Sequence, residues 1–216
     1  MQNSLKIVII DYESGNVASV FNAFQQIKKA HKISISHKIS EIKAADLLIL
    51  PGVGSFADCM HGLKKVDGLI YELKEQVLVN KKPLLGVCVG MQVLASFGFE
   101  NGKYEGLNFI EGEIKKITCN KNLKVPHMGW NDISINSDSA LIKSIKDKTH
   151  FYFANSYFFA AKYTANVIAE VDYDIKIPAI IAKDNVFGVQ FHPEKSGLHG
   201  LQLLKNFLEI VDDRAF

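Results

Sequence analysis

The sequence predicts a three-layer α/β/α domain, with helices on both faces of a mixed, mostly parallel central sheet. Three observations carry that expectation. Apolar runs at 5–10, 46–50 and 83–85 are short, nearly free of polar residues and closed by nearby glycine or proline, as strands buried on both faces are. Segments of helical period lie between them, the spacing of parallel strands joined by crossovers. From residue 113 onward the strand candidates become shorter and closer together, which suggests antiparallel additions to the same sheet.

Residues 5–10 form the first strand, and Gly15 with Asn16 turns the chain into a helix whose apolar positions are Val17, Val20, Phe21, Phe24 and Ile27. A short strand at 33–36 precedes the apolar strand 46–50, which stops at Pro51 and Gly52. Helices over 56–65 and 69–79 lead to the strand that ends in Gly86-Val87-Cys88-Val89-Gly90, and 91–97 continues as helix. Strand candidates follow at 113–118, 132–135, 151–153, 166–171, 179–183 and 186–191. Leu201, Leu204, Phe207, Leu208 and Val211 mark a closing amphipathic helix. No repeat or linker interrupts the chain, so residues 1–216 read as one domain.

Composition narrows the function classes. With 25 Lys and Arg against 23 Asp and Glu, the formal charge is only +2, and the lysine pairs are scattered among acidic residues rather than gathered into a phosphate-binding surface. Three cysteines, Cys59, Cys88 and Cys119, show no paired spacing, which argues against a disulfide framework and fits a reducing cytoplasm. The run 5–10 is too short for a signal peptide, and no 18-residue apolar stretch suggests a membrane span.

Cys88 sits between two glycines at a strand end, the setting of a nucleophile elbow, where a side chain is lifted out of a tight strand-to-helix turn. A buried cysteine is equally often a small inert core residue, so the surroundings must decide. A thiol nucleophile needs a base, and the base an orienting carboxylate. Phe191-His192-Pro193-Glu194 offers both just past a strand end. Those residues also suit a loop histidine and a helix-capping glutamate; their coincidence with an exposed thiol at another strand end favours chemistry. Pro51-Gly52-Val53-Gly54 supplies a third element, since its glycines free backbone N–H groups. The N–H of Val53 with that of Val89 suits an oxyanion site. Phosphate binding is the competing reading, although no phosphate-loop signature accompanies it.

Leu50-Pro51-Gly52-Val53-Gly54, Gly86 through Gln92 and Gly188 through Glu194 occur in this order in class I glutamine amidotransferases, which the chain resembles over essentially its whole length. Asp11-Tyr12 with Gly15-Asn16, Pro126-His127-Met128-Gly129-Trp130-Asn131 and Glu194-Lys195-Ser196-Gly197 are similar to signatures of the glutaminase subunits of imidazole glycerol phosphate synthases. The resemblance implies a flavodoxin-like fold, no cofactor and no metal. It implies Cys88 as nucleophile, His192 as base and acid, Glu194 as its orienter, and Gly52, Val53 and Val89 around the oxyanion. Gln92, Asn155, Ser156 and Tyr157 would lie against glutamine. The ammonia released would pass to a (β/α)8-barrel synthase subunit in a heterodimer, and Asn16, His127, Trp130 and Lys195 match positions on the partner-facing side. On residue type alone these four read as a turn asparagine, a satisfied histidine, a packed indole and a solvated lysine.

Two departures stand out. Asn155 occupies the place of a histidine in the family's usual Val-His-Ser-Tyr, keeping hydrogen bonding but losing an ionisable ring, and Glu13 replaces a glycine in the first loop. They leave room for a paralogous subunit that feeds ammonia to a related synthase acting on a sugar. A silent binding protein of the same fold is opposed by the intact Cys88, His192 and Glu194.

Overall fold

The computed structural model describes residues 4–13, 16–27, 31–119 and 123–212; Gly15, expected in the first turn, lies outside them. Strand β1 (Lys6–Ile10) is buried from Ile7 onward. It pairs in parallel with β2 (Lys32–Ser36) on one side and β3 (Leu47–Gly52) on the other. Helix α1 (Val17–Gln26) makes the first crossover and turns Val20, Ala23 and Phe24 inward. The second crossover is α2 (Ile39–Ala44), six residues too short for their period to show in the sequence. Helix α3 (Phe56–Lys65) starts at Ser55, whose hydroxyl accepts from the Asp58 N–H. Helix α4 (Leu69–Lys74) runs on as a π-helical turn to Val79, giving the expected 69–79 segment.

Strand β4 (Leu84–Cys88) is buried throughout and lies between β3 and β13 (Val186–Val189), parallel to both. Beyond it the helix expected over 91–97 stops after one turn, α5 (Val89–Gln92). Carbonyls of Val93, Leu94 and Ala95 turn instead to the returning chain and accept from the N–H groups of Leu107, Phe109 and Asn108. Val93, Leu94 and Ala95 are all fully buried, and such a run shows no preference between helix and coil. The chain then forms the short strands β5 (Phe97–Gly98) and β6 (Tyr104–Glu105).

The second half supplies β7 (Gly112–Lys116), β8 (His127–Ile135), β9 (His150–Asn155), β10 (Tyr157–Ala161), β11 (Val167–Tyr173) and β12 (Ile175–Lys183). The central sheet has nine strands in the order β2-β1-β3-β4-β13-β12-β11-β8-β9. Its first five run parallel and the rest join antiparallel. The segment near 113–118 does not join it. β7 pairs with β10 and β5 in a separate four-stranded sheet, because the place beside β13 is taken by β12, whose middle, Ile177 to Ile181, is wholly buried while β7 buries only alternate residues.

Helix α6 (Gly197–Asp212) closes the fold, packing Leu203, Leu204, Phe207 and Leu208 inward, with the Phe207 ring 5.9 Å from Phe187. Phe191 stacks on Phe151 at 4.1 Å and meets Phe153 edge-on at 5.7 Å. Each of these three fully buried rings contributes about 1.5–3 kcal/mol of apolar burial. Together they clamp the chain leaving β13 onto β9.

Candidate active site

Parallel strands β3, β4 and β13 all end on one side of the sheet, where loops meet without helix or strand to fill the space. Cys88 ends β4 with φ 55° and ψ −114°, a backbone conformation that costs a non-glycine residue roughly 1–3 kcal/mol. Its neighbours show why the turn holds. A Cβ on Gly90 would fall 1.8 Å from the Leu50 carbonyl oxygen, and one on Gly52 would fall 2.5 Å from the Gly90 nitrogen. The ends of β3 and β4 are therefore in backbone contact, and Cys88 is forced up at the head of α5. Only 4% of it is exposed.

Across from it, His192 Nδ1 lies 2.8 Å from Glu194 Oε1. The same oxygen accepts from Asn16 Nδ2 at 2.5 Å. Backbone bonds fix the histidine: its N–H donates to Tyr152 O at 2.9 Å, and the Ser196 hydroxyl donates to its carbonyl at 2.6 Å while accepting from the Tyr152 N–H at 3.0 Å. Burial pushes the imidazole pKa down, but hydrogen bonds to Cys88 and Glu194 and the charge on both outweigh it and hold His192 up at about 10. For Glu194 burial pushes upward, and the contact with His192, helped by Asn16, holds the carboxyl below its ordinary range. The three residues expected to act together thus meet, with Asn16 as a fourth member.

Cys88 opens on a cavity of about 100 Å³ lined also by Gly54, Val89, Gln92, Glu100, Ala154, Asn155, Ser156 and Tyr157. Gln92 Nε2 donates to the Tyr157 carbonyl and to Gln190 Oε1, both at 3.1 Å, and Asn155 Nδ2 donates to that same carbonyl at 3.0 Å. Val53 lies at the rim, 36% exposed, and its carbonyl accepts from the Cys59 thiol at 3.5 Å. The N–H of that peptide plane is Gly54's, and Gly54, at φ 90°, lines the cavity. Burial pushes Cys59 up to about 11, so it stays a thiol donor in the core. Cys119 likewise donates to a backbone carbonyl, that of Tyr173, at 3.8 Å.

Two residues here were not singled out from the sequence. Glu100 brings a carboxylate to the cavity wall while its Oε2 accepts from the Phe56 N–H at 2.8 Å. Gln190, one residue past β13, is wholly buried beside Cys88.

The four residues matched to the partner-facing side separate. Trp130 is 57% exposed and meets Tyr152 edge-on at 6.1 Å, and Lys195 Nζ stands 5.8 Å from the centre of the Tyr152 ring. Asn16 is half-buried against Glu194. His127 is buried, stacked between Phe153 at 4.7 Å and Tyr173 at 4.0 Å, and burial pushes its pKa down to about 4. Its Nδ1 has no hydrogen-bond partner among the described residues.

The family profile of the class-I glutamine amidotransferases matches residues 8–211. The imidazole glycerol phosphate synthase subunit HisH of Pelagibacter ubique (strain HTCC1062) is 41% identical over 208 residues, covering 95% of this chain and 100% of the relative. HisH 1 of Campylobacter jejuni (strain RM1221) is 47% identical over 204 residues, covering 94% and 100%. This chain belongs to the class-I glutamine amidotransferases, in the HisH family. As a class-I glutamine amidotransferase it shares its fold with a putative GMP synthase protein from Thermoplasma acidophilum, at a TM-score of 0.71 and 18% identity over 99% of this chain and 96% of that one. A second structure, described as a glutamine amidotransferase, superposes with a TM-score of 0.73 at 18% identity over 95% and 98%. Among the described residues of this class-I glutamine amidotransferase, no helix is long and apolar enough to cross a membrane, and no group of three or more His, Cys, Asp or Glu is placed to hold a metal ion.

Proposed function

We propose that this chain is a glutaminase subunit that hydrolyses glutamine to glutamate and ammonia through a thioester on Cys88. The observation that carries the reading is the meeting of Cys88, on a strained strand end beside a cavity, with the His192–Glu194 pair. The Cys88 thiolate attacks the side-chain carbonyl carbon of glutamine. Negative charge develops on the oxygen, and the N–H groups near Val89 and the Gly52-Val53-Gly54 segment are the donors at hand. His192 gives its proton to the leaving nitrogen, so ammonia departs and the γ-glutamyl thioester remains. A water then gives a proton to His192 and its oxygen to the acyl carbon; the thiolate leaves and glutamate is freed.

Glutamine also carries an ammonium and a carboxylate. Glu100 is the acidic residue on the cavity wall and suits the ammonium. Gln92, Asn155, Ser156 and Tyr157 complete the wall around the amino-acid end.

The names of the relatives favour a synthase partner in imidazole glycerol phosphate formation over a sugar-modifying one. The partner we propose is a barrel-type synthase, bound as a heterodimer and receiving the ammonia. Trp130, Lys195 and Met128, 65% exposed, offer the contact face. His127 supports that face from within, and Asn16 links the first loop to Glu194. The test is glutamate release by the purified chain with and without that synthase and its ligand. Cys88→Ala abolishes release in both conditions; full turnover by that variant overturns the mechanism.

A further inference from the structure

Gln190 is a polar side chain in an apolar place. Val189 and Phe191 on either side are fully buried, and so is Gln190 itself. β13 pairs with β4 from Val186 opposite Leu84 to Val189 opposite Val87, and one further step in that register brings Gln190 beside Cys88. Its backbone N–H is already spent on the Ala179 carbonyl at 2.9 Å. Burying a side-chain amide is unfavourable unless its groups are paired, so its partners report its role.

The pairing has one sense. A backbone carbonyl only accepts, so the 3.1 Å contact to Tyr157 O identifies the nitrogen end of the Gln92 amide. That nitrogen gives its second proton to Gln190, at 3.1 Å, which must meet it with oxygen. The nitrogen end of Gln190 is thereby turned toward Cys88 Sγ, 4.0 Å away. Polarity runs from the Tyr157 carbonyl through two side-chain amides to the sulfur, and what arrives there is a donor. An N–H directed at sulfur favours thiolate over thiol. Both protons of Gln92 are committed along the way, so the group it has left for the cavity is its carbonyl oxygen, an acceptor.

We propose that Gln190 is a positioning residue for the glutaminase reaction: it turns a donor to the Cys88 sulfur and fixes Gln92 with its oxygen available to substrate. The inference rests on Cys88 being the nucleophile. The experiment is the pH dependence of Cys88 alkylation by iodoacetamide in the full chain, followed by peptide mass spectrometry at Cys88. Wild type is compared with Gln190→Met, which keeps the volume and removes both polar ends, and with Gln92→Met, which breaks the relay one link earlier. Thermal melts and circular dichroism check folding.

In Gln190→Met the alkylation midpoint moves up by about one pH unit, the roughly tenfold change in ionisation that one hydrogen bond brings. kcat falls more than KM rises. Gln92→Met moves the midpoint the same way by less. An unmoved midpoint in folded Gln190→Met overturns the proposal; if that variant does not fold, an unmoved midpoint in Gln92→Met does so. Loss of the nucleophile reading looks different: Cys88→Ser would then keep releasing glutamate, whatever the Gln190 variants do.

Discussion

Asn16 and His192 share one oxygen: Glu194 Oε1 accepts from Asn16 Nδ2 at 2.5 Å and lies 2.8 Å from His192 Nδ1. Asn16 has φ 59° and ψ 1° at the head of α1, yet its side chain caps nothing there. It reaches 178 positions along the chain to Glu194 instead.

Asn16→Ala therefore leaves Glu194 with one donor fewer and free to turn away from the imidazole. A hydrogen bond to a charged group is worth about 1.5–3 kcal/mol, which corresponds to a loss of roughly ten- to a hundredfold in kcat/KM for glutamine. Steady-state kinetics of glutamate release checks it. The pH profile carries a second signature. His192, at about 10 when folded against an ordinary 6.5, adds stability that is fully present below pH 6.5 and lost as pH rises toward 10. The stability gap between wild type and Asn16→Ala, read from urea midpoints, is accordingly larger at pH 6 than at pH 10.

Strain at Cys88 predicts opposite movements of stability and activity. Glycine accepts φ 55° and ψ −114° where alanine does not. Both Cys88→Gly and Cys88→Ala lose glutaminase activity, but the glycine variant unfolds at the higher denaturant concentration, by about 1 kcal/mol after its greater unfolded-state entropy is counted. Equal stability of the two would remove the strain from the account of this turn.

Glu100→Gln keeps an acceptor for the Phe56 N–H and removes only the charge. KM for glutamine rises about tenfold while kcat changes little, because an ammonium held equally in ground and transition states contributes to binding alone. An analogue of glutamine without its α-amino group loses its disadvantage against the variant, and competition assays with the two ligands read this directly.

His127 sets the acid limit. Folded, its pKa lies at about 4 because burial disfavours the imidazolium, whereas the unfolded chain protonates it near 6.5. Stability from this residue is full above pH 6.5 and is lost as pH falls from there to about 4. Phenylalanine fits the slot between Phe153 and Tyr173 and does not titrate. His127→Phe thus flattens the fall in urea midpoint between pH 6.5 and 4; an unchanged slope would place the acid sensitivity elsewhere.

The sequence made Cys88, His192 and Glu194 legible because each ends or follows a strand within a few residues of a glycine or proline, so local pattern carries their position. Gln190 and Glu100 were hidden for different reasons. Gln190 belongs to a run of buried residues and differs from its neighbours only through partners at Cys88 and Gln92, 102 and 98 positions away. Glu100 reaches the cavity because the chain leaves α5 after one turn, and that exit depends on backbone bonds from residues 107–109. His127 and Trp130, close in sequence, part for reasons of strand geometry. Positions three apart on β8 point to opposite faces, so one is buried when the other is exposed.

β13 lies between β4 and β12, where the sheet changes direction, and it is the last strand in the chain. Every strand before residue 186 can be in place and the sheet still be open down its middle. Cys88 then has neither Gln190 nor His192 beside it. A chain emerging from the ribosome consequently stays without a competent thiol until its final strand has inserted, and the slow, long-range closure of that gap times the onset of ammonia release to the completion of the fold.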